Sequence, residues 1–384
     1  MVITDKNIAI IGGGPGGLTL ARILQLNGAD VKVYERDANK DVRVQGATLD
    51  LHSDSGLKAL CKAGLMDEFK ANYRHGADKM RISDKNANIV FEDDFDTDEN
   101  DELARPEIDR GPLRKILLDS LQSGTVVWDS NFVSLDQQNG SFKIEFKNGT
   151  DAYADLVIAA DGANSKIRPY ITPIKPFYAG VTVVEGAVYN PGKACPGIHQ
   201  LLNGGKIFAM GDEKTLIISS KGDGSLMFYT GCKKNQSWVQ DSRIDFGDKA
   251  QVSAWFKKEF SGWDDIWLAL FENAEPAFIP RPQYCMPLDQ TWDALPNLTM
   301  LGDAAHLMPP YAGEGVNMAM LDALELAECL LSNDFPDVHS AIAAFESQMR
   351  LRASEIAQIS MQQMESLHSA NAIPNFLKMF QPNE

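Results

Sequence analysis

Two glycine-rich turns, almost a chain length apart, carry residues suited to holding a phosphate or another anion. The first has the pattern GxGxxG on Gly12, Gly14 and Gly17, and the second begins at Gly302-Asp303. Each follows an apolar, strand-like run and opens a helical pattern. A strand, a glycine turn and a helix N-terminus together offer free N–H groups and a partial positive charge to an anion. The sequence therefore contains two candidate anion-binding turns.

The first turn has the features of a dinucleotide site. Gly12 permits the tight turn, Gly14 lets the backbone approach a pyrophosphate, and Gly17 lets the helix pack closely on the strand. The next strand ends in Glu35, which is placed to accept hydrogen bonds from ribose hydroxyls. The neighbouring Arg36 could instead face a 2′-phosphate. These residues predict dinucleotide binding and leave NAD and FAD both open.

Two further stretches indicate FAD. The second turn, Gly302-Asp303, resembles the second FAD fingerprint of flavoprotein hydroxylases, in which the Asp binds the ribityl chain. The stretch from Asp161 to Arg168 matches DGxxSxxR, a fingerprint that the same enzymes use for FAD and NAD(P)H. With the first turn, the three motifs stand in the family's order, so the two glycine turns are expected to hold the two ends of one FAD.

The chain as a whole resembles the class A flavin monooxygenases with the para-hydroxybenzoate hydroxylase-like fold. Within that class it is most similar to the TetX-type tetracycline-inactivating monooxygenases, through residues 7–15, 33–37, 48–52, 106–110 and 302–310. The motifs and this resemblance imply the following FAD-binding residues: Gly12, Gly14, Pro15, Gly17, Glu35, Arg36, Asp50, Arg110, Phe132, Asp161, Asp303, Pro310, Gly313, Val316 and Asn317.

The substrate side departs from the TetX-type pattern. Those enzymes hold tetracycline with a Gln, an Arg and a His, and the resemblance places Glu185, Lys206 and Met227 at these positions. Glu adds a charge, Lys lacks the planar fork of Arg, and Met lacks a hydrogen-bonding ring. Glu185 and Lys206 could also form a plain cross-strand ion pair. Tetracycline is therefore a candidate substrate with altered contacts.

The resemblance implies an FAD-dependent enzyme in which NADPH or NADH reduces the flavin. Reduced flavin then reacts with dioxygen, and a C4a-hydroperoxyflavin hydroxylates a polycyclic or phenolic substrate. No side chain is assigned as catalytic, since the cofactor carries the chemistry. His306 is expected to pack near the flavin. Glu314, where TetX-type enzymes carry Gln, is interpreted as tolerated variation.

Two alternatives use the same scaffold. One is a flavin-dependent reductase or dehydrogenase acting on a lipid-like substrate. The other is a non-catalytic protein that retains FAD and sequesters a drug. With tetracycline as substrate, the monooxygenase would confer antibiotic resistance.

The elements that must position these residues form an α/β protein. Residues 7–35 read as a βαβ unit, helices are predicted near 53–72 and over 111–123, and strands within 125–160. Residues 176–284 read as an antiparallel sheet with little helix before about Ala250, and residues 314–332 and 337–372 as helices. We expect a Rossmann-like FAD-binding domain (residues 1–72, 103–175 and 285–332), an antiparallel-sheet substrate domain (73–102 and 176–284) and a long C-terminal helical segment bridging them (333–384).

Composition narrows the partners. The 384 residues carry a formal net charge of −17, which disfavours nucleic acid and anionic membranes as partners. The five cysteines form no CxxC pair, which indicates reduced thiols and no metal site. No apolar run reaches membrane-spanning length. We expect a cytoplasmic monomer whose partners are dioxygen and a small aromatic or polycyclic substrate.

Overall fold

The structure is a computed structural model that describes residues 1–42, 48–93, 106–275 and 277–378. In chain order the strands are β1 (Asn7–Ile11), β2 (Asp30–Tyr34), β3 (Thr48–Asp50), β4 (Met80–Asp84), β5 (Ile89–Asp93), β6 (Glu107–Asp109), β7 (Val126–Val127), β8 (Phe132–Gln138), β9 (Ser141–Phe146), β10 (Asp151–Ala154), β11 (Leu156–Ala159), β12 (Phe177–Val188), β13 (Lys206–Gly211), β14 (Lys214–Ser220), β15 (Leu226–Lys233), β16 (Ile279–Cys285) and β17 (Leu298–Met300).

The helices follow the same numbering scheme. They are α1 (Pro15–Leu26), α2 (Gly56–Lys62), α3 (Met66–Lys70), α4 (Arg110–Asp119), α5 (Arg168–Ile171), α6 (Pro191–Ala194), α7 (Pro196–Leu202), α8 (Trp238–Asp241), α9 (Lys249–Glu259), α10 (Leu268–Asn273), α11 (Asp303–His306), α12 (Gly315–Leu331), α13 (Val338–Leu367) and α14 (Ala372–Leu377). Short 3₁₀ turns lie at Asp265–Trp267 and Pro310–Ala312.

The chain divides into two compact units. The first unit comprises Met1–Tyr73, Arg110–Phe177 and Cys285–Ile359. The second comprises Arg74–Asp109, Tyr178–Tyr284 and Ser360–Glu384. The predicted domain boundary between residues 102 and 103 lies outside the described residues. The assignment of FAD-binding and substrate roles to separate domains stays a prediction.

The first unit is built on a five-stranded sheet with the order β17-β11-β1-β2-β7 among the described residues. Each neighbouring pair is parallel, as Ile10 shows by pairing with Ile158 on one side and Val33 on the other. Parallel strands buried on both faces read as continuous apolar runs, which is the pattern of β1 and β11. Because the strands are parallel, the segments following β1, β2, β11 and β17 meet at one edge of the sheet.

The predicted βαβ unit is confirmed, and its helix approaches the sheet closely. A Cβ at Gly17 would lie 2.2 Å from the carbonyl oxygen of Gly12. A Cβ at Gly16 would lie 2.8 Å from the carbonyl oxygen of Ala319, on α12. The small residues at the start of α1 are therefore required by its packing against both β1 and α12.

One predicted helix of the first unit is interrupted. The pattern near residues 53–72 forms α2 and α3 instead of one helix. The break lies at Gly64, whose φ of +69° ends α2 in a conformation that continues no right-handed helix.

The second unit contains a seven-stranded sheet with the order β16-β12-β15-β14-β13-β4-β5 among the described residues. The prediction of an antiparallel sheet needs one correction, because β4 and β13 pair in parallel, with Met80 opposite Lys206. β4 and β13 lie far apart in the chain, so no hairpin joins them and they can pair in parallel. Little helix was predicted before Ala250, whereas α6, α7 and α8 all precede it.

One face of this sheet packs on an apolar core. Val184, Ile218 and Phe228 project from three strands into a buried cluster with residues of α7, α9 and α10. The rings of Phe256 and Phe271 stack at 4.0 Å between centroids within that cluster. This core packs against the sheet within the second unit.

The C-terminal helices complete the predicted fold class. The pattern over 314–332 forms α12, and the one over 337–372 forms the 30-residue α13. The α/β fold class, with parallel and antiparallel sheets and a long C-terminal helix, is confirmed. None of the helices within the described ranges is both long enough and apolar enough to cross a bilayer.

Candidate functional site

A cavity of about 570 Å³ opens at the carboxyl edge of the parallel sheet in the first unit. It is lined by residues that follow β1, β2, β11 and β17, together with the start of α12. The structure brings to this wall the following residues that the sequence predicted: Gly12, Gly14, Pro15, Gly17, Glu35, Arg36, Asp50, Arg110, Phe132, Asp161, Asp303, Pro310, Gly313 and Val316.

The first glycine turn leaves room in front of a helix N-terminus. Gly12 has a φ of +118°, and a Cβ there would lie 2.2 Å from the carbonyl oxygen of Ala160. By contrast, a Cβ at Gly14 would meet no protein atom within 4 Å. Gly12 is therefore required by the fold, whereas the missing side chain of Gly14 leaves space beside the first N–H groups of α1. That arrangement fits an anionic ligand.

Glu35 braces the same turn. Its side chain is 2% exposed. Its Oε2 accepts a hydrogen bond from the Gly13 N–H at 2.6 Å, and its Oε1 accepts one from the Asp37 N–H at 3.0 Å. The carboxylate thus ties the end of β2 to the glycine turn. Its predicted contact with ribose hydroxyls stays a prediction.

The DGxxSxxR stretch joins the second glycine turn. Arg168 donates from Nε to the carbonyl oxygen of Ala304 at 2.5 Å and from Nη2 to that of Asp303 at 2.8 Å. Ser165 Oγ accepts from the Arg168 N–H at 2.9 Å, and Asp161 Oδ2 accepts from the Lys166 N–H at 2.8 Å. The motif residues therefore fold their own turn and hold α11 at the cavity.

Two carboxyl groups give the wall its acceptor character. Oδ1 of Asp161 is buried and has no hydrogen-bond partner among the described residues. Desolvation raises the pKa of Asp303, against the lowering effects of His306, Arg110 and Arg168. Acceptors of this kind fit the hydroxyl donors of a ligand, and the helix N-terminus fits its phosphates. The wall therefore suits a dinucleotide with hydroxylated linkers, as FAD has.

Asn317 is placed differently from the other predicted residues. Its side chain is fully buried. Its Oδ1 accepts from the His52 N–H, and its Nδ2 donates to the carbonyl oxygen of Asp50, each at 3.0 Å. Asn317 thus links the start of α12 to the segment after β3. Its direct contact with FAD stays a prediction.

His306 belongs to a buried ionic network. Its Nε2 lies 2.6 Å from Oδ2 of Asp322, which also accepts from the Gly302 N–H at 2.8 Å. Arg352 Nη2 lies 2.7 Å from the other Asp322 oxygen. Burial alone would lower the pKa of His306, but the Asp322 carboxylate outweighs it and raises that pKa. This network holds the second glycine turn in place.

Several wall residues were missed by the sequence analysis: Thr48, Ser130, Asn131, Lys166 and Met308. Lys166 is the most informative of them, because its Nζ donates to the carbonyl oxygen of Phe132 at 3.2 Å. It occupies a variable position inside DGxxSxxR, and a cation placed there was the available signal.

The three residues predicted to contact substrate lie on the sheet of the second unit. Glu185 accepts a hydrogen bond from Nε of Arg281, and Lys206 pairs with the buried Glu107. Met227 is 3% exposed. An ion pair between Glu185 and Lys206 is therefore wrong, because β15 and β14 separate their strands.

Comparison with known proteins identifies this architecture. The family described as "FAD binding domain" matches residues 5–184 and 296–333, which is more than half of the chain. The chain belongs to this family. It is a flavin-dependent monooxygenase whose cofactor is FAD.

The similarity to known proteins extends over most of their length. The monooxygenase penA of Penicillium thymicola is 27% identical over 85% of this chain and 85% of that protein. The 6-hydroxynicotinate 3-monooxygenase of Pseudomonas fluorescens is 26% identical over 93% of this chain and 90% of that protein. The solved structure of the tetracycline destructase Tet(55) superposes with a TM-score of 0.78, at 21% identity, over 99% of this chain and 96% of that chain. At that identity the likeness extends to the fold alone.

Proposed function

We propose that this monooxygenase hydroxylates a small aromatic or polycyclic compound, with FAD held in the cavity of the first unit. The observation that carries the proposal is the convergence of both glycine turns and the DGxxSxxR stretch on one cavity. When bound, FAD supplies the redox chemistry that activates dioxygen, with NAD(P)H as the transient reductant.

The wall residues divide by chemistry. The Gly12–Gly17 turn and the N-terminus of α1 would bind the pyrophosphate, with Glu35 and Arg36 on the adenosine side. Asp303 and Asp161 would accept hydrogen bonds from the hydroxylated chain of FAD. The remaining predicted residues, including Arg110, Phe132 and the turn at Pro310–Ala312, would enclose the flavin side. In these roles the residues would hold the cofactor in place.

The second unit supports an uncharged substrate. Two of the three predicted substrate positions, Glu185 and Lys206, have their charges matched by Arg281 and Glu107 inside the same unit. The third, Met227, is apolar. A substrate bound beside these positions would form no new ion pair with them. An aromatic compound without fixed charges fits that surface best.

Tetracycline is the specific substrate to test first. It rests on the resemblance of five short stretches to the TetX-type enzymes, and antibiotic resistance would follow from it. The pairing of Glu185 with Arg281, and of Lys206 with Glu107, favours other aromatic compounds as substrates. The reductant (NADPH or NADH), the monomeric state and the cytoplasmic location stay predictions.

The test follows two signals in one purified sample. NADPH oxidation is recorded with and without dioxygen, in the presence of tetracycline and, separately, of uncharged phenols and polyketides. The proposal expects dioxygen-dependent NADPH oxidation stimulated by an uncharged aromatic compound, with a hydroxylated product by mass spectrometry. Consumption of tetracycline with coupled NADPH loss would establish the narrower function.

The two alternatives give different results in the same assay. Oxidation of NADPH that needs a lipid-like acceptor and no dioxygen would indicate a reductase. Bound FAD with tight ligand binding, but without NADPH oxidation for any compound, would indicate a sequestering protein. Either result would overturn the proposed function.

A further inference from the structure

The segment after β3 is fastened to the start of α12 by a histidine between two carboxylates. Nδ1 of His52 lies 3.0 Å from Oε1 of Glu314, and Nε2 of His52 lies 3.2 Å from Oδ2 of Asp50. The backbone of the same segment is held by Asn317, through the two hydrogen bonds described above. The segment is therefore held by two sets of contacts: those of the His52 imidazole with two carboxylates, and those of the neutral Asn317 amide with the backbone.

Both ring nitrogens of His52 face a carboxylate oxygen, which has no proton to donate when ionised. Both nitrogens must then be donors, and that requires the imidazolium form. The hydrogen bonds to Asp50 and to Glu314 raise the pKa of His52 to about 10, against the lowering effect of burial. Asp50, the last residue of β3, and Glu314, at the start of α12, are the charged groups that act on the ring.

This fastening lies at the cavity. Asp50 and Gly313 both line the wall, and a Cβ at Gly313 would lie 3.7 Å from both carboxylate oxygens of Asp50. Gly313 has a φ of +72° and ends the 3₁₀ turn at Pro310–Ala312. Glu314 is the next residue, so the hydrogen bond between its side chain and His52 restrains this turn directly.

We propose that His52 is a positioning residue, which as an imidazolium between Asp50 and Glu314 holds the turn ending at Gly313 against the segment after β3. The turn and the Asp50 carboxylate then form a preset wall for FAD. Glu314 is an active part of this device and not a tolerated variation. The inference rests on the proposed assignment of the cavity to FAD.

The experiment measures FAD affinity, not turnover. FAD is removed, and the apoprotein is titrated with FAD from pH 6 to 10.5, following quenching of flavin fluorescence. His52→Gln, which cannot carry the charge, is expected to bind FAD about tenfold more weakly, the size of one charge-assisted hydrogen bond. The ratio of wild-type to His52→Gln affinity should be constant at neutral pH and fall toward one as the pH approaches and passes the pKa of His52, about 10.

Glu314→Gln provides the second variant. It removes one of the two carboxylates that hold the proton, so the fall in affinity should move to lower pH than in wild type. His339→Gln and Glu328→Gln are matched controls. His339 donates from Nε2 to the carbonyl oxygen of Ala294 in an exposed contact, and Glu328 lies on the exposed side of α12, 3.9 Å from Lys62.

A merely structural role for His52 would lower the melting temperature of the apoprotein and leave the pH profile of Glu314→Gln at the wild-type position. That outcome overturns the inference, as does wild-type affinity in His52→Gln. If the wild-type apoprotein itself binds no FAD, the proposed function fails instead. If His52→Gln does not fold, the pH shift in Glu314→Gln decides the question alone.

Discussion

The cavity wall of the first unit and the sheet of the second unit differ in how their charged side chains are paired. On the wall, Oδ1 of Asp161 is buried without a hydrogen-bond partner among the described residues, and Gly14 faces open space. On the sheet, Lys206 and Glu185 are already paired within the unit. A buried acceptor costs free energy unless a donor reaches it, so the wall is incomplete without a ligand. The charges of Lys206 and Glu185 on the sheet are matched without a ligand.

This difference suits the wall to binding one cofactor and the sheet to binding a substrate with few polar contacts. A cofactor that every turnover reuses can be met by polar groups set in advance. A surface whose charges are internally matched makes few demands on a ligand's polar groups and recognises mainly shape and apolar area. The variants below test that contrast from the largest expected effect to the smallest.

Alanine at the two glycines should separate folding from binding. Gly12→Ala forces a Cβ to within 2.2 Å of a carbonyl oxygen at positive φ, so we expect a loss of about 3 kcal/mol or more in stability. Gly14→Ala meets open space and should leave the melting temperature of the apoprotein unchanged. FAD affinity should nevertheless fall by about 10- to 100-fold, since the methyl group would occupy ligand space.

Thermal melting of the apoproteins and FAD titration are sufficient to check both variants. Gly28→Ala serves as a control for positive φ without close contact, because it has a φ of +79° and no atom within 4 Å of its Cβ position. Wild-type FAD affinity in Gly14→Ala would show that the pyrophosphate does not approach this turn.

Removing one partner of a charge pair should affect the second unit next most strongly. Lys206→Met leaves Glu107, which is 3% exposed, as a buried charge, and should cost about 3 kcal/mol of unfolding free energy. The double variant Lys206→Met/Glu107→Gln should recover most of that loss. Urea unfolding followed by tryptophan fluorescence gives both values.

The matched control is Lys233→Met, in which the lost partner is Glu213 at 3.6 Å on the surface. We expect less than about 0.5 kcal/mol there. If Lys206→Met unfolds like Lys233→Met, the Lys206 charge is not tied to Glu107 in solution and remains available to a substrate. The proposal of an uncharged substrate would then lose its main support.

The same contrast decides what could be predicted from the sequence. The βαβ unit, the three fingerprints and the part of the cavity wall that the fingerprints form were predictable, because glycine spacing and strand patterns depend on local backbone geometry. Gly12 is an example, since its place after β1 requires both positive φ and the absence of a side chain.

The pairing of side chains was not predictable in this way. Lys206 meets Glu107, 99 positions earlier in the chain, although Glu107 lies in β6, which is not a neighbour of β13 in the seven-stranded sheet. No periodicity in the sequence indicates that contact. Likewise, His52 and Glu314 come together only once β3 and α12 are packed. The sequence motifs therefore located the cofactor wall, whereas the partners of the charged side chains on the sheet depend on the tertiary structure.

The smallest expected effect concerns a buried neutral histidine in the second unit. His368 is fully buried, with Nδ1 2.8 Å from the carbonyl oxygen of Met364 and Nε2 3.3 Å from Oγ1 of Thr215. Burial, with the charge of Lys233 acting in the same direction, lowers its pKa from 6.5. Below pH 6.5 the unfolded chain therefore binds a proton at this site that the folded chain does not.

Stability from His368 is thus present above pH 6.5 and is lost as the pH falls through 6.5 toward the folded pKa, at up to about 1.4 kcal/mol per pH unit. Urea unfolding at pH 7 and pH 5 should show this loss in wild type and not in His368→Gln, while the exposed His339→Gln keeps it. An equal loss in wild type and His368→Gln would mean that the site admits the proton in the folded state. The burial of His368 in the second unit would then not prevent its protonation.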